Sequence, residues 1–150
     1  MCSSDLSLPA PRSWDVEPAP QAVPAARRLI AKTAASWQVP LSDDALRDVE
    51  LCASELLTNG IEHTQAACRV TVARTGERLR VEVWDSSLRL PDSDDAEDTD
   101  TGGRGLLLVR ALAHSWGWTP QGAGKAVWFE SAADVQLAAR LPGGAVAAAS

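Results

Sequence analysis

Glu55-Leu56-Leu57-Thr58-Asn59-Gly60-Ile61-Glu62-His63 is the stretch from which the rest of the chain is best read. It closes a longer helical pattern in which Leu46, Val49, Ala53, Leu56 and Gly60 recur at three- and four-residue steps and make one buried stripe. Ser42 precedes the pattern as an N-cap, and Asp43 and Asp44 favour the positive end of the helix dipole. At about 100° per residue, Glu55 and Asn59 lie one turn apart on one face, with His63 a further turn on. Their line runs beside the apolar stripe, so these side chains border the core. A carboxylate and a carboxamide at that spacing can address one small ligand. Mg2+ accepts an amide oxygen together with phosphate oxygens and waters, and a carboxylate beside it can take a proton from an attacking hydroxyl or water. A solvated polar helix face is the alternative, because Glu-x-x-x-Asn is a weak pattern on its own.

Downstream, residues 68–73 and 79–85 alternate in character around a turn containing Gly76 and read as an antiparallel hairpin. Asp85 ends the second strand. There it either forms a turn or accepts a hydrogen bond from an exocyclic amine such as that of adenine. An acidic loop, residues 90–101, carries Asp92, Asp94, Asp95, Glu97, Asp98 and Asp100. Thr101-Gly102-Gly103-Arg104-Gly105-Leu106 follows as a glycine-rich turn before a short helix at 106–113. Glycines let backbone approach a ligand closely, the helix start behind them offers unpaired N–H groups to phosphate, and Arg104 adds a pairing charge. A flexible connector is the competing reading, and the absence of Gly-Lys-Ser/Thr excludes a Walker A loop. Strands at 115–119 and 125–130 complete the pattern.

Upstream, residues 1–12 read as a loose arm, 13–16 as a short strand, and 25–37 as a helix with Pro24 in its first turn. Residues 132–150 are expected to be a mobile Ala/Gly-rich tail, leaving 13–131 as the folded domain. Grouped helices with hairpin-joined strands predict an α+β fold: a two-layer sandwich whose mixed, mostly antiparallel sheet carries helices on one face.

Bulk properties narrow the function. The 150 residues suit one domain with a sizeable core, and 45% apolar with 23% charged residues is ordinary for a soluble protein. A net charge of −6 argues against direct nucleic-acid binding. No stretch approaches the ~18 apolar residues of a membrane span, and the N-terminus does not read as a signal peptide. Cys2, Cys52 and Cys68 have no Cys-x-x-Cys spacing, which disfavours a disulfide framework or zinc site and points to the cytoplasm.

Taken in order, the stretch from Glu55 to His63, then Val83-Trp84-Asp85-Ser86-Ser87, then Gly103-Arg104-Gly105-Leu106 resemble the motif boxes of the GHKL (Bergerat-fold) ATPase superfamily. Within it they look most like the stand-alone, histidine-kinase-like ATPase domains of the anti-sigma-factor serine kinases, the RsbW and SpoIIAB type. Gly124-Lys125-Ala126-Val127-Trp128-Phe129-Glu130 resembles that branch's closing strand, and the likeness covers roughly residues 12–131. The resemblance implies ATP and Mg2+ as cofactors, with Asn59 holding the metal and Glu55 acting as general base or positioning the nucleophile. Asp85 would bond the adenine amine. His63, Ser87, Gly103, Arg104, Gly105 and Leu106 would complete the nucleotide site, and residues 90–101 would form its lid. It also implies a serine/threonine-protein kinase that phosphorylates a STAS-type antagonist and sequesters a sigma factor. A non-enzymatic ATP-binding partner-switching module is the alternative. Family members often dimerise, though nothing in the sequence fixes an interface. Ser87 stands where the family usually has a glycine, and Ala126 where it often has a threonine whose hydroxyl lies near the base.

Overall fold

A computed structural model describes residues 8–87 and 101–131, with the side chains of 101–105 left out. The expectations for residues 1–7, for the acidic loop at 90–100 and for the tail at 132–150 therefore lie outside the described residues. The described elements run β1 (Arg12–Val16), α1 (Ala22–Ser36), α2 (Asp43–Thr64), β2 (Cys68–Thr75), β3 (Arg78–Asp85), α3 (Thr101–Leu112), β4 (Ser115–Gln121) and β5 (Gly124–Glu130). The five strands form one sheet in the order β1-β2-β3-β5-β4, and each neighbouring pair is antiparallel. The α+β sandwich is thus as expected, with a described sheet that is antiparallel throughout.

Two turns explain the strand pairing. Gly76 (φ 67°) lies between Thr75 and Arg78, and Gly122 (φ 61°) between Gln121 and Gly124. A two-residue hairpin with a positive φ at its first central position suits the sheet's right-handed twist, and glycine adopts it without strain. β4 continues through Pro120, past the expected end at residue 119, because an edge strand tolerates the missing N–H.

Alternation then builds the core. Leu79, Val81 and Val83 of β3, Val70 and Val72 of β2, and Val127 and Phe129 of β5 are buried on the helix-facing side. Ile30 of α1, Val49 and Leu57 of α2 and Val109 of α3 pack against them. Ser42 caps α2 as expected, its hydroxyl accepting the Ala45 N–H at 3.0 Å. α1 begins at Ala22, three residues before the expected start, since Pro24 sits within the first turn, where N–H groups need no intrahelical partner. None of the described helices is long and apolar enough to cross a membrane.

α1 ends in a Schellman arrangement. The Val39 N–H reaches the Ala34 carbonyl at 3.1 Å and the Gln38 N–H reaches Ala35 at 3.0 Å, which forces Gln38 to φ 55°. A side chain with a Cβ is strained in that conformation by about 1 kcal/mol. Gln38→Gly is therefore expected to raise unfolding stability by about 1 kcal/mol in urea denaturation. A midpoint shift to lower urea would contradict this account of the cap.

Candidate functional site

The alternation that buries Leu79, Val81 and Val83 also turns Asp85 inward, where it is 5% exposed. A carboxylate there needs partners. Lys125 lies directly opposite in the antiparallel register and shares the inward parity of Val127 and Phe129. Its Nζ donates to Asp85 Oδ1 at 2.9 Å and to Oδ2 at 3.2 Å. The Ser87 N–H donates to the same Oδ1 at 2.8 Å, closing an Asx turn that fixes the carboxylate at the strand exit. Ser87 is not among the left-handed residues, so its backbone conformation here does not call for glycine.

Two glycines let the neighbouring elements close on this pair. A Cβ on Gly60 would lie 2.9 Å from Cys68 Sγ, 3.0 Å from Asp85 Cβ and 3.1 Å from its Oδ2. One on Gly124 would collide with the Asp85 carbonyl oxygen and come within 2.8 Å of Ser86 Cα. The missing side chains thus seat α2 and β5 against the end of β3. Burial pushes the Cys68 thiol up to about 12, with the Asp85 charge adding to the rise and Lys125 opposing it. Burial does the same to Cys52, helped by Asp48 and then Glu55. Both thiols are free, protonated at neutral pH and chemically quiet.

On α2, Asn59 is 8% exposed, and its carboxamide has no hydrogen-bond partner among the described residues. Glu55 is half-buried one turn before it, and His63 is exposed in the last turn. Gly60 places the Asn59 end of the helix against Asp85, whereas no described contact brings Glu55 or His63 to the carboxylate. The groups that could hold a metal are few, since no cluster of three or more His, Cys, Asp or Glu forms among the described residues. A single neutral amide oxygen fits Mg2+ arriving with phosphates and water, not a dedicated metal cage.

α3 corrects one expectation. It begins at Thr101, so Gly102, Gly103, Arg104 and Gly105 form its opening turns and do not make a loop ahead of residue 106. Glycine costs about 1 kcal/mol in a helix interior, which is why the pattern alone stops short of it. Leu106 (5% exposed) and Val109 (0%) instead anchor the start of the helix in the interior. Leu106 is buried in α3, and the opening turn of this helix leaves backbone N–H groups without intrahelical acceptors.

A second correction concerns the closing strand. Ala126 pairs with Trp84 and Thr119 and, by alternation, faces away from Asp85. The residue beside the carboxylate is Lys125, which sequence reasoning passed over. Counting back by twos from Phe129 is the signal that finds it.

Residues 16–130 match the family model described as the histidine kinase-like ATPase domain. An uncharacterised protein of Streptomyces coelicolor is 39% identical over 90 residues, covering 56% of this chain and 85% of that protein.

Proposed function

The chain belongs to the histidine kinase-like ATPase domain family, a domain type that implies ATP binding, and on that footing we propose that it is a cytoplasmic anti-sigma serine/threonine-protein kinase. In this reading it binds Mg·ATP, phosphorylates a serine of a STAS-type antagonist and sequesters a sigma factor. The observation that carries the proposal is Asn59, a buried residue whose carboxamide has no hydrogen-bond partner among the described residues, one turn from Glu55 and next in sequence to Gly60, which packs on Asp85. Bound ATP supplies the phosphoryl group. Asn59 offers its amide oxygen to Mg2+, Asp85 accepts from the adenine amine, and the opening turn of α3 presents N–H groups to phosphate. Glu55 takes the proton of the acceptor serine as the hydroxyl oxygen bonds to the γ-phosphorus. The bond to the bridging oxygen breaks, and its electron pair leaves with ADP.

The test is phosphotransfer from labelled ATP to the STAS-type antagonist encoded nearest this gene. Phosphoserine should form, and Glu55→Gln should slow its formation at least ~100-fold with ATP affinity preserved. ATP-dependent partner binding without transfer would instead leave a partner-switching module and end the kinase proposal.

A further inference from the structure

Resting on the ATP-binding reading above, we infer that Lys125 is a second reader of the nucleotide base, donating to purine N1 while Asp85 accepts from the 6-amino group. A carboxylate has about four acceptor sites. Lys125 takes one on each Asp85 oxygen, and the Ser87 N–H takes a second on Oδ1. Oδ2 therefore retains one. An ammonium has three donors, and Asp85 accounts for two of those on Lys125 among the described residues. One acceptor and one donor thus stand side by side, 3.2 Å apart between Oδ2 and Nζ. Adenine's Watson–Crick edge carries the complement, the N6 amine beside the N1 acceptor, and base-binding pockets commonly read that edge.

Stability does not explain the pair. An ion pair whose side chains are 10% and 8% exposed gains little over apolar residues of the same volume, because desolvation offsets attraction. The surroundings also freeze it. Gly60 and Gly124 admit α2 and β5 to van der Waals range of Asp85, and the Asx turn holds Oδ1. A lysine already ordered before its ligand arrives loses little further freedom on binding.

The experiment is calorimetric titration of the wild type and Lys125→Met with Mg·ATP and with Mg·1-deaza-ATP, in which a C–H replaces N1. On the wild type the analogue should bind at least about 10-fold more weakly, as expected for losing a hydrogen bond from a charged donor. Lys125→Met should weaken ATP to a similar extent and bind the two nucleotides alike. Equal binding of both by the wild type would overturn the inference, as would a penalty that persists undiminished in Lys125→Met. A wild type that binds neither nucleotide instead defeats the ATP reading itself. Because Lys125→Met strands a buried carboxylate, Lys125→Gln serves if that variant does not fold, and the penalty should then shrink.

Discussion

Asn59→Ala is expected to lower Mg·ATP affinity at least about 100-fold, equivalent to about 2.7 kcal/mol, without lowering the thermal midpoint of the free protein. The two halves of this prediction have one cause. Asn59 is 8% exposed and its carboxamide bonds to no described residue, so replacing it breaks no hydrogen bond within the described protein while it removes the amide oxygen proposed for Mg2+. Alanine improves helix propensity by about half a kcal/mol, against the loss of a few packed atoms. An amide that its own fold leaves without a bond is available to a ligand that arrives after folding. Calorimetry with and without Mg2+, together with a melting curve of the ligand-free variant, separates the possibilities. A midpoint lowered by several degrees with ATP affinity intact would make Asn59 a structural residue and remove the metal assignment. Loss of binding with an unchanged or higher midpoint is the expected pair of results.

What could be read from the sequence follows how local each signal is. α2 was legible because its cap, its acidic first turn and its apolar stripe all lie within one segment, and all agree. The hairpin of β2 and β3 was legible for the same reason, through Gly76. Boundaries set by tertiary contacts were not. α3 starts at Thr101 because Leu106 and Val109 are held in the interior, which outweighs the poor propensity of the glycines before them. The site divides along the same line. Asp85 announces itself at a strand exit, but its partner lies 40 residues on, across a sheet neighbour that is not adjacent in sequence. Position 126 drew attention by resemblance alone, whereas the two-residue period of β5 assigns the inward place to Lys125. Gly60 read as one more small residue in an apolar stripe, and only the packing reveals that it faces a carboxylate.

Gly124→Ala is expected to cost about 3 kcal/mol of stability, lowering the thermal midpoint by roughly 10 °C, and to weaken ATP binding with it. Gly124 has no positive φ, so the demand for glycine is one of space. The added methyl would collide with the Asp85 carbonyl oxygen and crowd Ser86 Cα, and both are backbone atoms that no rotamer change can move aside. Relief requires β5 to move away from the end of β3, where Lys125 pairs with Asp85 in register. Stability and nucleotide affinity should therefore fall together, since one displacement loosens both the sheet and the ion pair. Gly122→Ala makes the contrast. Its φ of 61° carries a cost of about 1 kcal/mol for any side chain, yet nothing lies within 4 Å of the added carbon. That variant should melt only a few degrees lower and bind ATP as the wild type does. If Gly124→Ala proved no less stable than Gly122→Ala, the close seating of β5 on Asp85 would be wrong, and the clamped geometry of the Asp85–Lys125 pair would have to be given up with it.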